Sequence, residues 1–195
     1  MGISAKQFKK LQARVRGKKC ITKPDITSDH SILLGVDPSL RGTGYGVIKL
    51  GKSTPHTLAQ GTVKCPPKWE RSRCLAEIAS NIREVVKKHQ PTLCAIEGLF
   101  YGQNVKTALT MGEARGAALA VIAEAGLDIF EIAPRKVKQA ITGHGNAQKL
   151  AVAKMVQQML ALNDLPEPDA ADALAIALAH AQTHNRFAFE AQKKI

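Results

Sequence analysis

The feature that most constrains the fold is a series of short apolar segments that alternate with longer segments of helical periodicity. Residues 32–36 form a continuous apolar run, a pattern typical of a strand buried on both faces. Further strands are predicted over 45–50 and 57–64, and short turns separate these first three strands, which indicates an antiparallel meander. Two later strands are predicted at 93–96 and 127–132.

Longer segments with helical patterns follow the meander. Residues 68–89 carry one apolar stripe along a helix, which Pro91 ends. Further helices are predicted over about 104–125, 134–142, 147–161 and 168–184. This order predicts an α/β fold in which a five-stranded mixed sheet, three antiparallel strands plus two parallel ones, is flanked by helices.

Length and composition set the class of protein. The 195 residues suffice for one good-sized domain, and 45% hydrophobic with 23% charged residues is typical of a soluble globular chain. No apolar run approaches the roughly 18 residues needed to cross a membrane. The sequence also lacks an apolar signal-like segment near residue 1, so we expect a cytoplasmic protein without a membrane partner.

The net charge of +12 indicates a polyanionic partner, and nucleic acid is the commonest one. Residues 1–30 contribute +6 of this charge and lack an apolar period. We predict that they form a poorly ordered basic arm; a solvated tail without a role and a transit peptide are the alternatives. The body is predicted over 31–186, followed by a C-terminal tail at 187–195, and it is basic even without the arm.

The four cysteines contain no CxxC pair, which argues against a zinc site and against a disulfide framework. We expect reduced, buried thiols in a cytosolic protein.

Four acidic residues occur where a buried charge is costly. Asp37 and Glu97 each end an apolar strand, and Asp169 and Asp172 lie three residues apart on a helix otherwise built of Ala, Leu and Ile. Four carboxylates at one place repel strongly without a counter-charge, and all-oxygen ligands favour Mg²⁺ or Mn²⁺. In a basic protein, this combination points to phosphodiester chemistry with two metal ions.

Each acid also has a structural explanation. Asp37 before a proline could cap a turn, and Glu97 could be an exposed strand end. Asp169 could be a helix N-cap with Asp172 in the first turn. The spacing alone leaves both interpretations open.

The glycines at 42, 44 and 46 raise a nucleotide-binding alternative. Their spacing differs from GxGxxG, and a strand follows where a helix should begin. An actin-like or sugar-kinase-like site would need two such domains, and the body has room for about one. We therefore set nucleotide binding aside.

Five segments, in order, resemble motifs of the RuvC family, the bacterial Holliday-junction endonucleases with an RNase H-like fold. They span almost the whole body, from about residue 32 to residue 184. The segments are ILLGVDPSLRGTGYG at 32–46, AIEGLF at 95–100, APRKVKQA at 133–140, GHGNAQK at 143–149 and DAADALA at 169–175.

The resemblance implies a Holliday-junction resolvase that makes two symmetric nicks in four-way DNA junctions during recombination and repair. By position, Asp37, Glu97, Asp169 and Asp172 match the catalytic, metal-binding acids of the family. The implied cofactor is Mg²⁺, two ions per active site, with Mn²⁺ able to substitute. Another RNase H-like nuclease with a different nucleic-acid substrate, and a non-catalytic DNA-binding relative, are the alternative functions.

The resemblance also implies the DNA contacts. Lys138 and Lys149 match basic residues near the scissile phosphate, and Phe100 matches an aromatic residue that stacks on bases of the opened junction. Tyr101 would assist Phe100. A core anchor for Phe100 and ordinary solvated lysines are the alternatives. The predicted DNA-binding set is Phe100, Tyr101, Arg135, Lys136, Lys138 and Lys149.

Two partners besides DNA are implied. In the family, the helix predicted at 104–125 contributes to a homodimer, and here Gly112 and Gly116 would let a second helix approach closely. A two-fold dimer matches the two-fold symmetry of a four-way junction. The family also works with a RuvAB-type branch-migration complex.

Overall fold

A computed structural model describes residues 32–51, 54–98, 105–186 and 193–195. A mixed sheet with helices on both faces forms the body. Its strands are β1 (Ile32–Asp37), β2 (Gly42–Lys49), β3 (His56–Lys64), β4 (Leu93–Glu97), β5 (Asp128–Ile132) and β6 (Lys193–Lys194). Its helices are α1 (Arg71–His89), α2 (Val105–Glu124), α3 (Pro134–Thr142), α4 (Lys149–Met159) and α5 (Pro168–Arg186).

The sheet has the strand order β3-β2-β1-β4-β5-β6. The β1–β2 and β2–β3 pairs are antiparallel, whereas β1–β4 and β4–β5 are parallel. The predicted α/β class and the five predicted strands are therefore confirmed. The two-residue β6 pairs antiparallel with β5, within the segment predicted as a tail, and no apolar pattern at 193–194 predicts it.

Alternation along the strands divides the apolar side chains between two cores. Leu34 and Val36 of β1 pack with α1 and α2 on one face of the sheet. Leu33, one residue away, packs with α3, α4 and α5 on the other face. This alternation determines which face each strand's last side chain points toward.

A row of glycines allows α5 to lie unusually close to the sheet. A Cβ on Gly35 would overlap the backbone carbonyl oxygen of Ala173, and one on Gly44 would overlap that of Asp169. Gly46, opposite Gly35 in the β1–β2 register, faces the same helix. β2 therefore begins at Gly42, three residues earlier than predicted, because these glycines form a strand surface for α5 instead of a turn.

The described cysteines are buried, as predicted. Cys65, Cys74 and Cys94 are buried and free. Among the described residues, no helix combines the length and the apolar character needed to cross a membrane.

Candidate active site

Two neighbouring parallel strands bring Asp37 and Glu97 together. Val36 of β1 is paired with Ile96 of β4, so the next residues, Asp37 and Glu97, end their strands side by side. Both side chains alternate away from the core of α1 and α2, and they point toward the face that α5 covers.

Hydrogen bonds from Thr43 and Arg41 hold the turn after Asp37. The Thr43 hydroxyl donates to the Ser39 carbonyl oxygen at 2.6 Å and accepts from the Ser39 N–H at 3.2 Å. The Arg41 guanidinium donates to the Pro66 carbonyl oxygen at 2.7 Å, which ties the turn to the loop after β3. These bonds restrict the backbone that carries Asp37.

The first turns of α5 supply the other two acids. Asp172 lies beside the strand ends, whereas Asp169 is in the first turn, with a carboxylate oxygen facing Gly42. A carboxylate is favourable there because the helix N-terminus is positive. The close approach of α5 to the glycine row is what brings Asp172 to the strand ends.

Asp37, Glu97 and Asp172 open into one cavity of about 220 Å³. Two lysines reach the same cavity, Lys138 from α3 and Lys149 from the start of α4. The Lys149 Nζ lies 2.7 Å from the Asp172 Oδ2. Asp169 does not line the cavity, but its charge contributes to the raised pKa of Asp37.

Burial and mutual repulsion raise the pKa values of Asp37 and Glu97. Burial, followed by the charge of Asp172, raises the pKa of Asp37 to about 6. Burial, followed by the charge of Asp37, raises the pKa of Glu97 to about 8, and the two carboxyl groups share a hydrogen bond. The hydrogen bond to Asp172 raises the pKa of Lys149, so this ammonium group stays charged.

The acidic side chains in the cavity fit a hard divalent cation, because carboxylate oxygens are the ligands that such an ion prefers. A bound cation would also compensate the repulsion between their negative charges. Within the described residues, no three His, Cys, Asp or Glu side chains are already grouped as a metal site. Lys149 is the cation bound to Asp172 in this conformation, so an ion at Asp172 would replace it.

The family follows from comparison with known proteins. A family model described as "Crossover junction endodeoxyribonuclease RuvC" matches residues 33–180. The chain belongs to the RuvC family. The predicted resemblance is therefore confirmed, and with it the RNase H-like fold and the class of enzyme, a DNA endonuclease. Membership implies a nuclease that depends on a divalent metal ion.

Curated RuvC relatives match most of the chain. The crossover junction endodeoxyribonuclease RuvC of Bordetella avium is 43% identical over 151 residues, which is 77% of this chain and 83% of the relative. That of Rubrobacter xylanophilus is 40% identical over 154 residues, 78% of this chain and 86% of the relative.

A solved RuvC structure matches the three-dimensional fold. RuvC of T. thermophilus, in complex with a Holliday junction substrate, superposes with a TM-score of 0.77 and 34% sequence identity. The match covers 85% of this RuvC-family chain and 100% of that chain.

The structure separates the predicted DNA-binding residues of this RuvC-family chain into three groups. Lys138 and Lys149 line the acidic cavity. Arg135 and Lys136 are exposed on α3 and do not line it. The remaining two, Phe100 and Tyr101, lie outside the described residues.

One residue beside the predicted acids is missing from the sequence-based predictions. Arg115 of α2 donates from Nε to the backbone carbonyl oxygen of Glu97 at 3.3 Å. In the sequence, Arg115 stands out only as a charged residue in an Ala- and Gly-rich helix, between Gly112 and Gly116. Periodicity alone does not reveal a contact between a helix and a strand end.

Proposed function

We propose that this chain is a Holliday-junction resolvase that makes two symmetric nicks in four-way DNA junctions during recombination and repair. The observation that carries the proposal is the cavity in which Asp37, Glu97 and Asp172 meet Lys138 and Lys149. Acids that hold metal and lysines that hold phosphate are the two requirements of phosphodiester hydrolysis. Family membership supports the junction as the substrate.

In this proposal, Asp37, Glu97, Asp169 and Asp172 are the catalytic and metal-binding residues. They would hold two Mg²⁺ ions, with Mn²⁺ as a substitute. Such ions, when bound, would activate the attacking water and stabilise negative charge on the leaving oxygen. The all-carboxylate donor set and its unfavourable repulsion support this assignment.

Lys149 and Lys138 would bind the scissile phosphate and stabilise the charge that develops on it. Lys149 is already charged and bonded to Asp172 at 2.7 Å, so it needs only a short movement to reach a phosphate in the cavity. Fixed charges of this kind act without reorganisation at the moment of reaction.

The remaining DNA contacts are proposed on the surface around the cavity. Arg135 and Lys136 are exposed on α3, the helix that also carries Lys138, so they would follow the phosphate backbone of a junction arm. Phe100 and Tyr101 follow Glu97 closely in the chain, and we assign them to stacking on unpaired bases.

We further propose a homodimer that forms through α2. Val105 and Leu109 of this helix are 61% and 63% exposed, and they lie four residues apart on one face. A two-fold dimer would place one cavity on each of two symmetric strands. The basic arm at 1–30 and the tail at 187–195 would flank the nuclease domain, which works in the cytoplasm with a RuvAB-type complex.

The decisive experiment is a gel assay of a synthetic immobile four-way junction with Mg²⁺, Mn²⁺ or chelator. We expect two symmetric cuts with either metal ion and none with chelator. Asp37→Asn should bind the junction and fail to cut it, whereas the control Asp164→Asn, an exposed loop acid, should cut normally.

Other substrates distinguish the alternative functions. Faster cutting of linear duplex or of an RNA–DNA hybrid than of the junction would indicate a different RNase H-like nuclease. Junction binding with no cutting in any metal would indicate a non-catalytic relative. Either result would overturn the proposed function.

A further inference from the structure

Arg115 belongs to α2, which packs on the face of the sheet opposite the acids. Its side chain reaches the end of β4, where Glu97 lies. The side chain leaves α2 and is only 11% exposed. Its Nε donates to the Glu97 carbonyl oxygen at 3.3 Å, and its Nη2 donates to the Glu131 Oε2 at 2.5 Å. Glu131 belongs to β5, the strand next to β4, and is 25% exposed.

The peptide bond after Glu97 is held at both of its polar atoms. Arg115 binds the Glu97 carbonyl oxygen, and the Gly98 N–H of the same peptide donates to the Ile132 carbonyl oxygen at 2.9 Å. Because a peptide is planar, fixing both atoms fixes its plane. The direction of the Glu97 side chain then depends on few remaining rotations.

The surroundings are built for this contact. Gly98 packs against Glu131, since a Cβ on Gly98 would lie 3.1 Å from the Glu131 Cγ. Glu131 in turn holds the guanidinium group in the orientation that reaches Glu97. A largely buried ion pair is costly to desolvate and is weak evidence for stability alone. Its contact with an acid-bearing strand end suggests a role in positioning.

We propose that Arg115 is a positioning residue that sets the Glu97 carboxylate for metal binding and cleavage. The inference rests on the proposed function of Glu97, and the acid is reached through its backbone, not through its carboxylate. Residues that orient metal ligands typically change metal affinity or activity by about 10–100-fold when they are lost.

The test compares Arg115→Met with Arg115→Lys and with the control Arg83→Met. The control removes an arginine from the exposed Arg83–Glu124 ion pair, which lies between α1 and α2 and does not touch Glu97. Junction cutting gives kcat and KM, calorimetry gives the Kd for Mn²⁺ alone, and thermal unfolding reports stability.

For Arg115→Met we expect kcat to fall and the Kd for Mn²⁺ to rise, each about tenfold or more, with KM for the junction unchanged. Arg115→Lys should recover part of both losses, because a lysine keeps one donor and the charge. Arg83→Met should match the wild type. Wild-type kcat and Mn²⁺ affinity in Arg115→Met would overturn the proposal, as would equal losses in Arg83→Met.

A second variant covers the case in which Arg115→Met does not fold. Glu131→Gln keeps a hydrogen-bond acceptor but loses the charge that orients Arg115, and we expect the same pattern at a smaller scale. If the wild type binds Mn²⁺ but does not cut junctions, the proposed function fails while the Mn²⁺ affinities still decide the role of Arg115. A wild type that neither binds Mn²⁺ nor cuts would overturn both.

Discussion

The carboxylates in the cavity occupy positions where burial and neighbouring negative charges disfavour their ionised forms. Asp37 and Glu97 are largely buried, hydrogen-bonded to each other and close to the charge of Asp172. Lys149 offsets only part of that repulsion. Such residues reduce the stability of the metal-free protein, and this trade-off is expected where a site is built for a cation.

The raised pKa of Glu97 predicts how stability depends on pH. Its folded-state pKa of about 8 lies above an unfolded value of about 4.3, so the folded state binds more protons between those values. Stability contributed by this group is therefore present below about pH 4 and is lost as pH rises through 8.

Glu97→Gln should be more stable than the wild type at pH 8 in chelator, by on the order of 1–2 kcal/mol after allowance for solvent screening. The gain should be smaller at pH 5. Urea denaturation at both pH values measures it, with the exposed Glu84→Gln as the control. No gain at pH 8 would contradict the buried, repelled state of this carboxyl group.

Lys149 is expected to matter for catalysis more than for folding. Its side chain is 71% exposed, so losing the ion pair with Asp172 should cost less than about 1 kcal/mol of stability. Lys149→Met should nevertheless lower the cleavage rate about 100-fold, since the variant loses the charge that we propose binds the scissile phosphate. Single-turnover cutting measures this, and a normal rate would remove Lys149 from the site. The exposed Lys154→Met on α4 is the control.

At the scale of elements, the site depends on how close α5 comes to the sheet. The strand and helix types follow from periodicity, and the structure confirms them. The start of β2 does not follow, because the glycines at 42, 44 and 46 have low intrinsic strand preference. They serve the packing of a helix more than one hundred residues away in the chain.

Gly44→Ala should destabilise the protein by about 1–3 kcal/mol or more, because its Cβ would overlap the Asp169 backbone and push α5 away. The rate of junction cutting should fall by more than the loss of folded protein explains, since Asp172 moves with α5. Ser80→Ala is the control: this side chain is exposed on α1, and alanine there should stabilise the helix by about 0.5 kcal/mol. Urea denaturation and junction cutting measure both, and equal stability of the two variants would contradict the packing argument.

On the scale of the whole molecule, two features extend beyond a single cavity. One is the exposed apolar face of α2 at Val105 and Leu109, which is the proposed dimer contact. The other is the excess positive charge, half of which belongs to residues 1–30. Both features bear on how the protein would bind a four-way DNA junction, which is large, symmetric and negatively charged.

Leu109→Asp should convert the proposed dimer into a monomer, because an unpaired charge in an apolar contact is costly. Sedimentation velocity measures the change, and unfolding should stay near that of the wild type since Leu109 is exposed. Leu58→Asp, an exposed leucine on the edge strand β3, should stay dimeric. A Leu109→Asp dimer would place the interface elsewhere.

Removing residues 1–30 should weaken non-specific DNA binding and flatten its dependence on salt, because eight Lys and Arg residues are lost. The rate of cutting at a saturating junction concentration should be unchanged, since the four proposed catalytic acids all lie at or beyond residue 37. Binding to linear duplex over a range of salt concentrations measures the effect. An unchanged salt slope would mean that the arm does not contact DNA.

Sequence patterns were enough to predict the element types, the order of strands and helices along the chain, and the residues that resemble family motifs. Those properties are local, because period, turn residues and short motifs are read within a few neighbouring positions. Three of the four acids and two lysines predicted in this way do meet in one cavity.

The contacts between distant segments could be seen only in the folded structure. Three such contacts join residues that are far apart in the chain. They are the packing of α5 against Gly44, the ion pair of Lys149 with Asp172, and the hydrogen bond from Arg115 to the Glu97 carbonyl oxygen. Such contacts depend on the distance and angle between packed elements, to within an ångström, and no single-sequence pattern encodes that distance.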